Sequence, residues 1–287
     1  PRRVSPFLIS HFLPDTASGL VAIALGAQGP NFAVTAACAT GGAAVGEAAE
    51  TIARGDAEVM IAGGFEAPLT PIYYAGFFAM KALATHDDPT QAVRPFDADR
   101  NGFILGEGAA ALVLESLEHA RARGARVYAR YSGGATSNDA GDMVAAAEDG
   151  HGIAGAMRHA LGRGELRTDQ ISYINAHGTS TQLNDKFETM SVKTVFGEAA
   201  ASIPISSTKA MIGHTLGAGG GIEAAVTMMS LREQKIHGTR NLVLPDPDCD
   251  LDYVPEGARD VSMEYAVSNS LGFGGHNSCL VFKRFTA

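Results

Sequence analysis

The sequence predicts an α/β protein in which short strands and helices alternate in packed layers. Short segments of five or six residues that are rich in apolar and β-prone residues, such as 57–62 and 171–175, are typical of buried strands. Helical patterns ended by glycine separate these runs, and one order of features occurs twice along the chain. Alternation of this kind favours layered α/β architecture over an all-α or an all-β domain.

Each element follows from its local pattern. Helices are predicted where apolar or small residues recur every three or four positions, at residues 8–24, 43–54, 116–123, 152–161, 185–196 and 217–233. Strands are predicted for short β-prone runs, at residues 31–34, 57–62, 103–105, 111–114, 127–131, 171–175, 203–206, 265–269 and 278–283. Glycines are predicted to end elements, with Gly55 and Gly124 closing helices and Gly63 and Gly64 closing a strand. Residues 65–100 are predicted to be mostly loop, with short helical pieces around 73–84.

Composition excludes several classes of protein. With 287 residues, 46% apolar and 18% charged, the chain holds one large core or two domains. A formal net charge of −9 argues against bulk nucleic-acid binding. Its three cysteines lack paired spacing, which argues against a disulfide framework and against a metal site. Apolar runs stay well short of the roughly 20 residues of a membrane span and no signal peptide is visible, so we expect a cytoplasmic protein without a membrane partner.

Cys38 is the first candidate for chemistry. It is predicted to lie where the strand at 31–34 gives way to a helix rich in small residues. Unpaired N–H groups at a helix N-terminus favour the thiolate, so this position is expected to lower the pKa of the thiol. The small residues that follow leave space for a substrate near the backbone. An inert buried thiol is the alternative, because free cysteine is often a core residue.

An internal repeat links the two halves of the chain. Cys38 is followed by Gly41 and Glu47, and His214 is followed at the same spacing by Gly217 and Glu223. We therefore predict two halves of one plan, residues 1–130 and 131–287, with Cys38 and His214 at equivalent helix starts facing a shared seam. Chance matching in a chain rich in Gly and Ala is the competing explanation.

Four motifs extend this hypothesis, and they occur in the order Thr-Ala-Ala-Cys at 35–38, Asn-Ala-His-Gly-Thr-Ser-Thr at 175–181, Ser-Ser-Thr-Lys-Ala-Met-Ile-Gly-His at 206–214 and Asn-Ser-Leu-Gly-Phe-Gly-Gly-His-Asn at 269–277. Taken together they resemble the β-ketoacyl-acyl carrier protein synthases, most closely those of dissociated fatty acid synthesis. The resemblance implies the thiolase-like layered α-β-α-β-α fold with internal duplication. It also implies that the N-terminal part of the first half is missing, and the start at Pro1 rather than at Met agrees with a longer polypeptide.

The resemblance implies a decarboxylative Claisen condensation of a malonyl thioester with an enzyme-bound acyl group. Cys38 would be the acylated nucleophile, and His177 and His214 would form the decarboxylation and enolate site. Lys209 would orient and tune that site, and the main-chain N–H groups of Cys38 and Phe273 would form the oxyanion hole. Taken singly, His177 fits a turn or core position and Lys209 fits a solvated surface.

Further residues are implied around this centre. Phe273, flanked by Gly274, would gate the acyl pocket, and Phe77 would be a second gate residue. Thr179 and Thr181 would hydrogen-bond the phosphopantetheine arm of the substrate, although local turn caps are the plainer interpretation. The supporting carboxylates would be Asp185 and Glu223, which fit an ordinary buried salt bridge equally well.

An acyl carrier protein is the partner that the resemblance implies. Arg2, Arg3 and Lys81 match positions where related enzymes present basic residues to that acidic carrier, and ordinary surface charge is the alternative. Residues 6–8 match a segment that reaches the acyl pocket of a partner subunit, so a homodimer is expected. The resemblance implies no cofactor of the protein's own, because phosphopantetheine carries both substrates.

Other functions remain open from the sequence. A polyketide-type ketosynthase shares the same chemistry, although 39–41 differs from its serine-rich run. A degradative thiolase is disfavoured, because neither Cys249 nor Cys279 lies in a motif that suits proton abstraction. A truncated, non-catalytic scaffold is the third alternative, and Cys38 argues against a chain-length partner that lacks the nucleophile.

Overall fold

The computed structural model describes residues 4–286. Within them, helices α1 to α9 cover Leu8–Phe12, Thr16–Leu25, Thr40–Ala53, Pro71–Ala79, Leu117–Ala122, His151–Arg163, Gln182–Phe196, Lys209–Ile212 and Gly219–Glu233. Strands β1 to β9 cover Val59–Glu66, Gly108–Glu115, Ala129–Asn138, Ile171–Asn175, Ile205–Ser206, Lys235–Ile236, Arg259–Asp260, Tyr265–Gly272 and His276–Arg284. No helix of this part of the chain is long and apolar enough to cross a membrane.

A five-stranded sheet forms the centre of the second half, in the order β3-β9-β8-β4-β5. Strand β4 runs parallel to β5 and β8, whereas β9 runs antiparallel to β8 and β3. Alternate residues of β9 enter different cores: Cys279 and Val281 pack with α6 and α7, and Leu280 and Phe282 pack with α3 and α9. Both faces of this sheet are therefore covered, so polar residues of its strands such as Ser268 and Asn269 are buried together with the apolar ones.

The helices α3 and α9 form the middle layer, between that sheet and the antiparallel pair β1–β2. Their first turns touch through glycine: a Cβ on Gly41 would lie 2.4 Å from the nitrogen of Gly221, and one on Gly220 would lie 2.4 Å from that of Gly42. Larger residues would separate the two helices. The starts of both helices are thereby held side by side.

Several predicted elements differ in the structure. Strand β1 continues through Gly63 and Gly64 to Glu66, so the prediction that these glycines end it is wrong. A Cβ on Gly63 would lie 2.0 Å from the carbonyl of Ala110 in β2, and one on Gly64 would lie 2.6 Å from that of Gly217. The glycines thus allow close backbone approach within a continuing strand.

Two predicted strands do not form. Residues 31–34 carry no strand ladder, and residues 103–105 make only single bridges, Leu83 with Phe103 and Leu105 with His214. High β-propensity creates a strand only where a neighbouring strand supplies a row of hydrogen-bond partners. Strand β3 also begins two residues later than predicted and extends to Asn138. By contrast, the strand predicted at 171–175 is confirmed with the same bounds.

The internal repeat is present, but the predicted register is wrong. A short 3-10 turn precedes each central helix, Ala37–Ala39 before α3 and Leu216–Ala218 before α9. Each turn begins with a residue in the left-handed region, since φ is 47° at both Ala37 and Leu216. Cys38 therefore corresponds to Gly217, and His214 lies just before the second turn. The division of the chain at residue 130 stays a prediction.

Candidate active site

Cys38 lies in the turn that leads into α3, with 9% of its surface exposed. The turn is pressed against the end of β8, because a Cβ on Gly272 would lie 2.6 Å from the carbonyl of Ala36 and 2.9 Å from the nitrogen of Cys38. The main chain of Phe273 hydrogen-bonds to the thiol from this side. The nucleophile predicted from the first half thus meets the glycine-rich segment of the second half.

The predicted lowering of the thiol pKa is wrong. Burial raises the pKa of Cys38 to about 11, although the positive charge of Lys209 and the hydrogen bond from Phe273 both act to lower it. The negative charge of Glu66 adds to the increase. Removal of water from the thiolate outweighs the favourable position before a helix, so the thiol is protonated at neutral pH.

His177 and His214 face one another close to this thiol. Their rings are nearly perpendicular, with centroids 5.5 Å apart, and both side chains are buried. His177 follows β4 directly. His214 is held by residues of the first half: its N–H donates to the carbonyl of Ile104 at 2.7 Å, and the ring of Phe103 meets its imidazole edge-on at 4.9 Å. Residues 103–105, which fail to form a strand, therefore hold one histidine in place.

Hydrogen bonds set the tautomer of each imidazole. The ammonium group of Lys209 lies 3.2 Å from Nδ1 of His177, and the N–H of Leu216 donates to Nδ1 of His214 at 3.3 Å. An ammonium and a main-chain N–H can only donate, so both Nδ1 atoms accept. The proton of each neutral ring is then on Nε2. Both histidines can donate a hydrogen bond from Nε2 to a substrate oxygen.

Electrostatics keep the two rings neutral. Burial lowers the pKa of His177 and of His214 well below 6.5, and the nearby charge of Lys209 lowers it further. Lys209 is itself buried, and its Nζ donates to Oε1 of Glu223 at 2.6 Å. Burial raises the pKa of Glu223, while the lysine opposes that increase. An ion pair of lysine and glutamate thus orients the imidazole of His177.

An aromatic group closes the site on the side of the thiol. The ring of Phe77, in α4, lies 6.4 Å from that of Phe273 and 5.4 Å from that of Phe103. Cys38, Phe103, Leu105 and Leu216 form one buried apolar cluster against which Phe77 packs. Gly274 has a positive φ of 80°, which suits a turn that projects Phe273 toward this cluster. Both predicted gate residues therefore lie beside the nucleophile.

The two threonines lie in the loop between His177 and α7. The hydroxyl oxygens of Thr179 and Thr181 are 2.9 Å apart, and Ser180 between them has a positive φ of 68°. Asp185, in the first turn of α7, is buried and accepts hydrogen bonds from the N–H of Ser180 and of Phe96. The threonine loop therefore starts at His177 and is held by the buried carboxylate of Asp185.

The comparisons with known proteins agree with this arrangement. The family described as "Beta-ketoacyl synthase, N-terminal domain" matches residues 1–120, and "Beta-ketoacyl synthase, C-terminal domain" matches residues 128–243. The chain belongs to the β-ketoacyl synthase family. This chain is 52% identical to "3-oxoacyl-[acyl-carrier-protein] synthase 2" of Staphylococcus aureus (strain COL), with all of this chain and 69% of the relative aligned. The synthase of the same description from Synechocystis sp. is 50% identical, with 99% of this chain and 69% of the relative aligned.

Solved structures confirm the thiolase-like ketosynthase fold. A type II polyketide ketosynthase, solved with its acyl-carrier protein, superposes with a TM-score of 0.97 at 37% identity, covering 100% of this chain and 71% of that chain. A β-ketoacyl synthase from Burkholderia phymatum superposes with a TM-score of 0.94 at 39% identity, covering 99% of this chain and 68% of that chain.

Sequence reasoning missed three charged residues at the site. Glu188 accepts the N–H groups of His177 and Gly178, both at 2.9 Å, and burial raises its pKa to about 7. Glu66, at the end of β1, accepts the N–H of Gly217 at 3.1 Å and so joins the Cys38 side to the second half. Arg100 contacts the threonine loop from the first half. The sequence signal for the two acidic residues is weak. Glu66 ends the segment Gly-Gly-Phe-Glu and Glu188 lies in the helix predicted at 185–196, but a charged residue by itself indicates an exposed position.

The predicted carrier-protein surface is described only in part. Arg2 and Arg3 lie outside the described residues. Lys81 is exposed and follows α4, the helix that carries Phe77. Within residues 4–286, no group of three or more His, Cys, Asp or Glu side chains is placed to hold a metal ion.

Acid is expected to destabilise the synthase through its two buried imidazoles. Their folded-state pKa lies below the unfolded value near 6.5, so only the unfolded state gains these protons as the pH falls. Stability is full above that value, and each histidine costs about 1.4 kcal/mol of the free energy of unfolding between pH 7.5 and 5.5. Glu188 acts in the opposite direction, because its raised pKa favours the folded state as the pH falls from 7.

Urea unfolding at both pH values measures this difference in His177→Asn and His214→Asn. Each variant should lose about 1.4 kcal/mol less than the wild type on acidification, and a comparison between variants cancels the contribution of Glu188. The exposed His159→Asn is the matched control and should follow the wild type. Parallel pH profiles in all four proteins would show that the imidazoles are not held neutral.

Proposed function

We propose that this protein is a β-ketoacyl-[acyl carrier protein] synthase that elongates fatty acyl chains by two carbons. The observation that carries the proposal is a pair of buried, neutral imidazoles that both present Nε2–H, one of which contacts Phe103 in the apolar cluster that contains Cys38. The names of the relatives at 50% and 52% identity support the same activity. A nucleophile and an enolate-binding pair that are linked in this way suit a reaction with an acyl transfer and a decarboxylation.

The first half-reaction loads the acyl group. Sγ of Cys38 attacks the thioester carbonyl of acyl carrier protein, and the resulting oxyanion accepts hydrogen bonds from the main-chain N–H groups of Cys38 and Phe273. The carbon–sulfur bond to the carrier then breaks, and the carrier thiol leaves with the proton that Cys38 gives up. Because burial raises the pKa of the free thiol, we expect Cys38 to lose its proton only as its sulfur attacks a bound thioester.

The second half-reaction makes and uses a carbon nucleophile. The thioester oxygen of malonyl carrier protein accepts hydrogen bonds from Nε2 of His177 and His214. As the bond to the carboxylate breaks, carbon dioxide leaves and its electron pair forms an enolate that these donors stabilise. The enolate carbon attacks the acyl carbonyl on Cys38, the carbon–sulfur bond breaks, and the Cys38 thiolate that leaves takes a proton from water. The product is a β-ketoacyl thioester on the carrier, two carbons longer.

A polyketide-type ketosynthase is the second candidate. It is favoured by the likeness to the ketosynthase solved with a type II polyketide acyl-carrier protein and bound hexaketide. Fatty acid elongation is preferred here because the relatives with greater identity over the whole chain carry that description. The two differ in outcome, since a polyketide enzyme extends the same chain repeatedly without reduction of the keto group.

The partners follow from the same chemistry. Acyl carrier protein is the proposed partner, with Lys81 beside the gate and Arg2 and Arg3 as its basic contacts. A homodimer, in which residues 6–8 reach the neighbouring subunit, and a cytoplasmic location are parts of the proposal. The substrates arrive on phosphopantetheine, so the proposal requires no further cofactor.

Mass spectrometry of the intact protein after incubation with acyl carrier protein tests the proposal. We expect one acyl mass on Cys38, and addition of malonyl carrier protein should release it as a carrier-bound product that is two carbons longer. Cys249 and Cys279 are buried and should remain unmodified. A folded protein that gains no acyl mass would identify a non-catalytic scaffold, and products extended several times would identify the polyketide activity.

A further inference from the structure

Arg100 connects the first half of the chain to the loop that carries Thr179 and Thr181. It lies between α4 and β2, only 3% exposed, and belongs to none of the motifs that mark the site. We propose that Arg100 is a positioning residue for recognition of the pantetheine arm. This inference rests on the proposed function, because that function makes the threonine loop the binding site of the arm.

The guanidinium group holds main-chain carbonyls on two segments. Nε donates to the carbonyl of Thr181 at 3.1 Å, and Nη2 donates to that of Gln182 at 2.8 Å. Nη1 donates to the carbonyl of Asp97 at 2.8 Å, in the loop of Arg100 itself. The end of the threonine loop and the start of α7 are thereby joined to the first half.

Two carboxylates hold the guanidinium in place. Oδ2 of Asp185 is 3.6 Å from Nε, and Asp246 contacts Nη1 from the other side. Asp185 is fully buried and also accepts the N–H of Ser180 at 3.2 Å. The charge on Arg100 thus stabilises the carboxylate that fixes the middle of the threonine loop.

Ser180 shows why the loop needs this support. Its backbone is in the left-handed region, which is costly for a residue other than glycine, and the surroundings must hold it there. Its hydroxyl accepts the N–H of Arg94 at 2.9 Å, and its carbonyl accepts that of Gly102 at 2.9 Å. Both donors flank Arg100 in sequence. The conformation of Ser180 sets the directions of the threonines on either side of it, so the segment 94–102 determines where their hydroxyls point.

Lysine could not replace arginine in this role. The planar guanidinium reaches three carbonyls and two carboxylates at once, whereas an ammonium group is a single point of charge with three donors. Arg100→Lys keeps the positive charge beside Asp185 and loses the fork. The variant therefore separates positioning of the loop from neutralisation of the buried carboxylate.

Decarboxylation kinetics with two probes test the proposal: malonyl-pantetheine, and malonyl methyl thioester, which has no arm. For Arg100→Lys we expect KM for malonyl-pantetheine to rise about tenfold, as for the loss of one or two aligned hydrogen bonds, with kcat changed less than about twofold. KM for the methyl thioester should change less than about twofold. The exposed Arg163→Lys, in α6, is the matched control and should behave as the wild type with both probes.

Asp246→Asn is the second variant, because it leaves the pair of Arg100 and Asp185 intact and should fold even if Arg100→Lys does not. It should raise KM for malonyl-pantetheine in the same direction, by about two- to threefold. An equal change with both probes, a change confined to kcat, or no change in either variant would overturn the role of Arg100. A wild type that decarboxylates neither probe would instead refute the proposed function.

Discussion

Replacement of Cys38 by alanine is expected to lower condensation by at least about 10³-fold and to leave decarboxylation of malonyl carrier protein within about threefold of the wild type. In the proposed mechanism the sulfur forms the covalent bond to the acyl group, and the thiols of Cys249 and Cys279 are buried in a different cluster of the core. The enolate is stabilised from the other side, by Nε2 of His177 and His214, whose positions depend on Lys209 and Leu216 and not on the thiol. The two half-reactions should therefore separate in this variant.

Carbon dioxide release and β-ketoacyl product are measured in parallel to follow the two half-reactions. Cys249→Ala is the matched control, since Cys249 is a buried thiol whose pKa burial raises to about 12 and which lies in the apolar core beside α6 and α7. It should keep both activities. If Cys38→Ala still formed product, or if it lost decarboxylation as completely as condensation, the division of labour proposed here would be wrong.

The layered fold could be predicted because its second half leaves a strong local signal. Four of the five residues of β4 are buried, and its two isoleucines and its tyrosine form a short β-prone segment that a sequence pattern locates to the residue. Residues 31–34 have similar propensity and form no strand, because no described strand lies beside them to complete a ladder. Which strands lie side by side is a property of the tertiary structure, and the local sequence pattern does not contain it.

The residues of the site could be predicted from the sequence, but their burial, pKa values and long-range contacts could not. Ordered motifs predict Cys38, His177, Lys209 and His214, and in the structure the two imidazoles face one another, Lys209 contacts His177, and the charge of Lys209 acts on Cys38. The predicted direction of the pKa shift of Cys38 is wrong, because the apolar residues that bury the thiol, such as Phe103 and Leu216, come from both halves of the chain. Arg100 was missed for a related reason: the carbonyls that it holds on the threonine loop lie more than 80 positions away, and no short pattern announces such a contact.

The register of the repeat illustrates the same limit. Matching glycines and glutamates aligned Cys38 with His214, whereas the backbone aligns Ala37 with Leu216. In a segment rich in small residues, several offsets produce equal matches, and only the left-handed residue that opens each turn distinguishes them. Cys38 and His214 therefore occupy different positions relative to the two turns.

Alanine at His177 or at His214 is expected to lower decarboxylation by about 10²–10³-fold, because each imidazole supplies one of two hydrogen bonds to the developing enolate oxygen. Loading of the acyl group onto Cys38 should change less than about fivefold in either variant, since the oxyanion of that step is held by main-chain N–H groups. The double variant should be little slower than the worse single one, because one remaining donor stabilises the charge poorly without the other. Carbon dioxide release and acyl mass on Cys38 provide the two readouts.

Asparagine provides the test of mechanism that alanine cannot. Its side-chain N–H can donate to the same oxygen but has no pKa in the working range, so His→Asn should recover part of the lost rate if donation is what matters. Should the histidines instead abstract or deliver a proton, asparagine would be as slow as alanine. His159→Ala is the matched control on the surface and should leave both half-reactions unchanged. Burial keeps both rings neutral, and this favours donation. A neutral ring whose proton is on Nε2 has no lone pair on that atom with which to accept a proton.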